Sequence, residues 1–309
     1  MLRRHKWRLA FLVLFLAGLA AFVWLLRWNG AGEPQPRPVS MVQLRALAAA
    51  SPGPVPVELA AERVAYRRLP QDLLAAGTGL EPRILAVWAF RVTMADGSTI
   101  LIDTGMAEAQ ASALGLDGFD REGAGRISRA LRAAQLIIPT HEHADHMGGL
   151  IALLHRDRAA GEAALARTLM NRGQLPDQPL SARLDWPMPV SASARIADGA
   201  PQAAAPGVVV IPAPGHTPGS QMVYLRTADG REWLFTGDTA SFDANWKELR
   251  GRSMLMQMIA PEDRAAVFDW LATIRALKAQ APGLIVIPGH DYSALFDSSR
   301  QPIMPLTFE

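Results

Sequence analysis

The stretch Thr140-His141-Glu142-His143-Ala144-Asp145-His146 concentrates imidazoles and carboxylates in one short segment. It follows the apolar run Leu136–Ile138, and Pro139 between them marks a turn, so the pattern predicts a strand that ends in a loop. Because His141 and His143 are separated by one residue, their rings project to the same side of an extended segment. If His141 and His143 bind one metal ion, Asp145 and His146, which follow within one turn, can reach a second one.

Three further apolar runs of strand type end in the same way. Val208–Ile211 precedes His216, Trp233–Phe235 precedes Asp238, and Leu284–Ile287 precedes His290. Strand ends on one edge of a sheet converge, and ligands bind at that edge. A loop held by a strand is also a rigid mount for a site. We therefore expect side chains from all four strand ends to meet in one place.

The expected donor set consists of five histidines and two aspartates: His141, His143, Asp145, His146, His216, Asp238 and His290. The sequence has no cysteine, which excludes disulfides, a thiolate nucleophile and a cysteine-ligated metal. Imidazole and carboxylate donors without sulfur suit zinc or a similar metal, with iron and manganese as alternatives. Seven donors exceed what one four-coordinate ion uses, so the set predicts two ions that share Asp238 and a hydroxide.

The remaining pattern mixes strands with helices. Ile84–Met94 and Thr99–Ile102 flank Ala95-Asp96-Gly97, which predicts a hairpin. Pro261–Gln280 predicts a helix with its proline at the first helical position, its acidic residues in the first turn and one apolar face. Strands and helices mixed over a long segment predict a layered α/β fold.

The ordered series of donors, in these strand contexts, resembles the metallo-β-lactamase superfamily over about residues 80–295, and its lactonase- and esterase-like members most. Asp103, in Leu101-Ile102-Asp103-Thr104-Gly105, matches a family element that supports the metal ligands without binding the metal itself. The resemblance implies a four-layer αββα sandwich. It also implies that His141, His143 and His216 hold one metal ion, that Asp145, His146 and His290 hold the other, and that Asp238 bridges them.

The resemblance further implies a dinuclear zinc-dependent hydrolase whose bridging hydroxide, oriented by Asp145, attacks a small ester-like bond, a lactone or an ester. Many lactonases carry a tyrosine shortly after the bridging aspartate, whereas this chain has Thr239-Ala240-Ser241-Phe242 there. Tyr292, two residues after His290, is the candidate replacement, with packing as its alternative role. Four further residues either line a substrate pocket or belong to the core: Trp246, Met254, Met256 and Met258.

Other activities of the same superfamily fit the chain less well. The missing cysteines and the presence of Asp238 disfavour a β-lactamase, and only 19 residues follow His290, which disfavours a glutathione thioesterase. The segment from His216 to His290 has no room for the inserted domain of a nuclease. An iron-dependent oxidoreductase of the persulfide dioxygenase type is the alternative from a different reaction class. A non-catalytic binding protein is expected to have lost ligands, and none is lost here.

An apolar N-terminal segment predicts a membrane span. Leu9–Leu26 is an uncharged run of 18 residues, bracketed by Trp7 and Trp28. At ~1.5 Å per residue it matches the hydrocarbon core of a bilayer. Most of the basic residues precede it, which favours a signal anchor in the inner membrane with the remaining chain in the periplasm. A signal peptide cleaved near Asn29-Gly30-Ala31, which releases the protein to the periplasm, is the alternative.

Composition divides the chain into three parts. We predict the span over residues 1–28, a proline-rich extended tether with one short helix over residues 29–56, and a catalytic domain over residues 57–309. Residues 1–28 carry five basic side chains and no acidic one, and the remainder has a net excess of three acids. The domain therefore makes a poor nucleic-acid binder, and a small-molecule substrate is the expected partner. The sequence leaves the oligomeric state open.

Overall fold

Two five-stranded mixed sheets form the centre of the structure, a computed structural model that describes residues 2–187, 195 and 199–308, with only the backbone of residues 2–5. The first sheet has the order β4-β1-β2-β3-β5 and comprises β1 (Pro56–Pro70), β2 (Pro82–Met94), β3 (Thr99–Ile102), β4 (Gly118–Phe119) and β5 (Leu136–Ile138). The second has the order β10-β9-β8-β7-β6 and comprises β6 (Gln202–Ala205), β7 (Val208–Pro212), β8 (Gln221–Arg226), β9 (Glu232–Phe235) and β10 (Ile285–Ile287). Every strand predicted from the sequence is present.

Nine α-helices accompany the sheets in the described part of the chain. They are α1 (Leu2–Phe22), α2 (Met41–Ala48), α3 (Glu108–Ala113), α4 (Arg121–Ala133), α5 (Ala144–Arg156), α6 (Arg158–Leu165), α7 (Asp243–Glu248), α8 (Met254–Ile259) and α9 (Arg264–Gln280). Helix α1 continues as a π-helical turn, Val23–Arg27. Short 3-10 turns cover Gln71–Leu73, Arg172–Gln174, Ser181–Leu184, Gly237–Thr239 and Tyr292–Leu295.

The two sheets pack face to face, and helices cover both outer faces. Between the sheets lies an apolar cluster in which Phe90 and Phe235 have ring centroids 4.8 Å apart. Leu131 of α4 and Leu150 of α5 pack with the outer face of the first sheet. Leu271 of α9 belongs to the cluster on the outer face of the second sheet. The predicted four-layer αββα sandwich is therefore confirmed.

Parallel strand pairs bring the donor-bearing loops to one edge. Strand β3 pairs in parallel with β5 (Ile102 opposite Ile138), and β9 pairs in parallel with β10 (Phe235 opposite Ile287). Because parallel strands end on the same side of a sheet, the segments after these four strands emerge together. Local sequence patterns thus become one site through strand direction.

The start of the last helix differs from the prediction. The sequence pattern begins this helix at Pro261, but α9 begins at Arg264. Asp263 is its N-cap, and its side chain accepts a hydrogen bond from the backbone N–H of Ala266 at 3.0 Å. The cap leaves Glu262 outside the helix, where its side chain is free to point toward the donors.

Part of the predicted tether packs against the domain. Residues Met41, Leu44 and Ala48 of α2 are buried in the cluster on the outer face of the second sheet. The Arg45 guanidinium donates two hydrogen bonds to Glu232 of β9, at 2.7 and 2.8 Å. The segment before α2 is also held, since the backbone N–H of Arg37 donates to Thr273 of α9. The predicted short helix is present, and residues 37–48 lie on the fold instead of extending away from it.

The N-terminal helix has the dimensions of a membrane span. Within the described residues, Lys6–Arg27 is the one helix long and apolar enough to cross a membrane, with a mean hydropathy of 2.7. None of this window is buried against the protein, so its apolar side chains face outward.

Candidate metal centre

The histidine-rich stretch forms the loop between β5 and α5. His143 is the N-cap of α5, so Asp145 and His146 lie in its first turn. The Asp103 carboxylate, which follows β3, accepts hydrogen bonds from the backbone N–H of Thr140 at 2.6 Å and from its hydroxyl at 3.0 Å. Asp103 has a φ of 58°, a left-handed conformation that a non-glycine residue adopts at a cost. These contacts tie the loop that follows β5 to the end of the neighbouring strand β3.

All seven predicted donors lie together in two adjoining groups. The first contains His141, His143, His216 and Asp238, and the second contains Asp145, His146 and His290. In the first group, His143 Nδ1 lies 2.9 Å from His141 Nε2 and 3.1 Å from His216 Nε2. In the second, His290 Nε2 lies 3.4 Å from both His146 Nε2 and the nearer Asp145 oxygen.

Asp238 lies between the two groups. Its Oδ1 is 2.9 Å from His290 Nε2 and 3.6 Å from His146 Nε2, both in the second group. Its Oδ2 is 3.6 Å from His216 Nε2, in the first group. The two oxygens of one carboxylate therefore face the two groups, as the bridging role implied by the family resemblance requires.

Hydrogen bonds on the far side of three imidazoles set their orientation. The Nδ1 atom of His216 lies 3.0 Å from Glu262, that of His146 lies 2.9 Å from Asp103, and that of His290 lies 2.8 Å from the Ala86 carbonyl oxygen. A carboxylate or carbonyl oxygen accepts a hydrogen bond from Nδ1–H, which leaves the lone pair of Nε2 directed into the cluster. This arrangement is typical of metal-ligating histidines.

The donor set fits divalent cations. The ring nitrogens that face the cluster, including Nδ1 of His143 and Nε2 of His141 and His146, approach one another to between 2.9 and 3.4 Å. Lone pairs at such distances repel unless a proton or cation lies between them. The buried Oδ1 of Asp238 faces two imidazole nitrogens, His290 Nε2 at 2.9 Å and His146 Nε2 at 3.6 Å. A buried anionic oxygen is costly unless a proton donor or a cation compensates its charge, and metal coordination is one such arrangement.

The carboxylates dominate the electrostatics of the second group. Burial alone would lower the pKa of His146, but the charges of Asp103, Asp145 and Asp238 outweigh it and raise that pKa to about 10. In the first group, burial has a larger effect than the nearby carboxylates. Together with the charge of His216, burial lowers the pKa of His143 to about 3. Burial would raise the pKa of Asp238, but the surrounding imidazoles, His290 foremost, hold it well below its ordinary value. The cluster keeps its carboxylates ionised, as cation binding requires.

Two residues of the site were missed by the sequence analysis. Arg252 is 8% exposed, and its Nη2 donates to Asp238 Oδ2 at 2.8 Å and to Ser241 at 3.1 Å. Glu262 accepts from His216, and its carboxylate lies 3.7 Å from the Arg252 Nε. Neither residue follows a strand end, which was the signal used. Arg252 precedes α8 and Glu262 follows it, so only the fold shows that their buried side chains meet.

A cavity of about 680 Å³ opens on the cluster. Its floor contains His143, Asp145, Asp238, His290 and Arg252. Its walls are largely apolar and come from β1, the 3-10 turn after it, and α8. A mostly apolar cleft with a few convergent polar groups is the usual form of a small-molecule site.

The structure does not bring Tyr292 into this cavity. Its ring stacks on Trp88 with centroids 6.0 Å apart and contacts Phe296 at 5.2 Å. The alternative packing role predicted for Tyr292 is the one that these contacts support. Trp246 is buried in the core of the second sheet, whereas Met256 lines the cavity and Met258 is exposed on α8.

Replacing Glu262 with glutamine is expected to weaken metal binding about ten- to a hundredfold. The substitution keeps the size of the side chain but removes the charge that orders the His216 ring. Competition with a chromophoric chelator measures the affinity, and Glu58→Gln, an exposed position on β1, is the matched control. Unchanged affinity in Glu262→Gln would show that the carboxylate charge does not support the site.

Comparison with known proteins identifies the family. The sequence model described as the metallo-beta-lactamase superfamily matches residues 83–290, and the chain belongs to this superfamily. The matched segment contains all seven donors. A search of curated protein sequences finds no match.

Solved structures with the same fold include several lactone hydrolases. A quorum-quenching N-acyl homoserine lactone lactonase is 17% identical with a TM-score of 0.61, and the match covers 82% of this chain and 99% of that chain. An N-acyl homoserine lactone hydrolase with N-hexanoyl-L-homoserine at its catalytic metal centre is 17% identical with a TM-score of 0.58, covering 77% and 94%. A probable metal-dependent hydrolase from Staphylococcus aureus is 11% identical with a TM-score of 0.51, covering 84% and 99%.

Proposed function

We propose that the protein is a dinuclear, zinc-dependent hydrolase that opens a small ester-like bond, with lactones and esters as the favoured substrates. The observation that carries the proposal is the pair of donor groups joined by Asp238 at the floor of a largely apolar cavity. The lactone hydrolases of the same fold, one with its product at a catalytic metal centre, add support. The stacked Tyr292 receives no substrate role in this proposal.

Divalent metal ions in this cluster would supply a nucleophile from water near neutral pH and polarise the substrate carbonyl. Asp145 lies at the junction of cavity and cluster, where its carboxylate can orient that nucleophile. Arg252 fixes Asp238 through its Nη2 and presents a cation to the cavity. A fixed cation beside the reacting carbonyl stabilises the negative charge that develops on its oxygen.

We further propose that the N-terminal helix anchors the enzyme in the inner membrane with the catalytic domain in the periplasm. The helix Lys6–Arg27 supports this placement by its length and hydropathy. Basic residues concentrate before the apolar run, and such residues remain in the cytoplasm.

Metal content and hydrolysis test the proposed function together. We expect the full-length protein, purified without added metal, to contain about two zinc ions per chain by elemental analysis. We expect it to hydrolyse lactones or aryl esters in preference to β-lactams, to lose this activity to a chelator and to regain it with zinc. One iron per chain together with persulfide oxidation would overturn the proposal in favour of the oxidoreductase alternative.

A further inference from the structure

We infer that the cavity receives its substrate directly from the bilayer, and that this substrate is an amphiphile with a long acyl chain attached to the ester or lactone. The inference rests on the proposed hydrolase function and on the proposed anchor. Four features support it: the way the anchor ends, the elements that it contacts, the side chains that those elements expose, and the lining of the cavity.

The end of the apolar helix is fixed to the catalytic domain. The carbonyl oxygen of Leu26 accepts a hydrogen bond from the backbone N–H of Gly77 at 3.2 Å. Arg27 donates to the fully buried carboxylate of Asp72 at 3.2 Å. Asn29 then exchanges hydrogen bonds with Leu249 and Gly251 through its side chain, at 2.7 and 2.9 Å. The domain therefore lies directly against the point where the chain leaves the span.

The elements that hold the helix end are also walls of the cavity. The π-helical turn Val23–Arg27 contacts the 3-10 turn Gln71–Leu73 and helix α8. Leu73 of the 3-10 turn, and Leu255 and Ile259 of α8, line the cavity above the metal cluster. The cavity thus begins beside the end of the span, at the level of the bilayer surface.

Helix α8 exposes apolar side chains at this position. Its sequence, Met-Leu-Met-Gln-Met-Ile, has no charged residue. Met258 is 67% exposed and Ile259 is 68% exposed, although each has an apolar side chain. Trp28, which directly follows the helix end, is also half exposed, and tryptophan favours the interface of a membrane. Because this surface is continuous with the span, we assign the lipid bilayer as its occupant.

The cavity has the chemistry of an acyl-chain site with a basic entrance. Its walls are mainly aliphatic, whereas Arg67, Arg68 and Arg183 line it with exposed guanidinium groups. Arginines at a membrane surface attract anionic lipid headgroups, and aliphatic walls accommodate a hydrocarbon chain. A substrate that partitions into the bilayer can slide its chain past α8 while its ester reaches the metal cluster.

The absence of native cysteines permits a direct test of bilayer contact. A single cysteine introduced by Met258→Cys in the full-length protein is labelled with an environment-sensitive fluorophore and reconstituted into phosphatidylglycerol-containing vesicles. We expect doxyl-labelled lipids to quench this fluorophore. The control Ala228→Cys lies in the exposed turn before β9, at the sheet edge opposite the metal cluster, and we expect no quenching there. Equal, weak quenching at both positions, or a blue-shifted but unquenched label that indicates a protein partner, would overturn the inference.

Hydrolysis in vesicles tests substrate delivery separately from chemistry. We expect Met258→Glu to lower the rate on a long-chain acyl lactone in vesicles about tenfold, since a charge replaces an apolar group on the exposed face of α8 that is proposed to enter the bilayer. We expect it to leave the rate on a water-soluble short-chain ester unchanged. Val42→Glu, an equally drastic change on the exposed side of α2, should alter neither rate.

The two rates separate failure of the inference from failure of the proposed function. If the wild type hydrolyses the soluble ester and Met258→Glu affects both substrates alike, membrane delivery is wrong while the hydrolase remains. If the wild type hydrolyses neither substrate, the proposed function itself fails.

Discussion

Asp238→Asn is expected to abolish hydrolysis, with a loss of about a thousandfold or more, ~4 kcal/mol of transition-state stabilisation. Asp238 lies between both donor groups, with Oδ1 directed at His290 and Oδ2 facing His216. The amide keeps the shape of the carboxylate but carries no charge, and its NH₂ group cannot bind metal. Elemental analysis should accordingly give fewer than two ions per chain.

The control for this prediction is Asp96→Asn, in the exposed hairpin turn between β2 and β3. It removes the same charge far from the cluster and should retain both the metal and the activity. Full activity in Asp238→Asn with two bound ions would show that the carboxylate does not join the two sites.

Arg252→Met is expected to lower kcat about a hundredfold while the metal content stays at two ions per chain. The guanidinium lines the cavity and donates to Asp238, but it is not itself a ligand. Its removal takes away a fixed cation beside the reacting carbonyl, which costs about as much as removing one donor to the developing oxyanion. Arg252→Lys keeps the charge but loses the two-sided contact with Asp238 and Glu262, so an intermediate rate is expected.

Rates and metal content together distinguish this role from a structural one. Arg231→Met, which removes an exposed arginine at the start of β9, is the matched control and should behave as the wild type. If Arg252→Met loses metal in proportion to activity, the arginine acts by holding the ligands in place and not on the substrate.

The grouping of the seven donors was predictable because its signal is local. Each donor lies in the loop or helix start that follows a short apolar strand, and parallel pairing such as β3 with β5 then brings the strand ends together. The hairpin of β2 and β3 was visible for the same reason, since a turn signal separates two apolar runs. The alternation of strands and helices predicted a layered α/β fold, and the αββα order came from the family resemblance.

The features that the sequence did not predict depend on contacts between residues that are far apart in the chain. Glu262 was placed in the first turn of a helix because Pro261 is a good starting residue, but the Asp263 side chain caps the helix two residues later. Arg252 reaches Asp238 from a loop with no periodic pattern. The prolines of the N-terminal segment suggested an extended chain, yet Met41 and Leu44 find an apolar face on the second sheet. No local pattern reveals which surface will be available to a short helix.

The position of α2 determines where the enzyme can be cut to obtain a soluble version. A version that starts at residue 57 would strip α2 from the second sheet and expose Val209 and Tyr224, which the helix helps to cover. It would also leave Glu232 without Arg45, its charged partner. A version that starts at Trp28 or Asn29 removes the apolar span but keeps α2 on the second sheet, so we expect it to stay soluble where the version that starts at residue 57 aggregates.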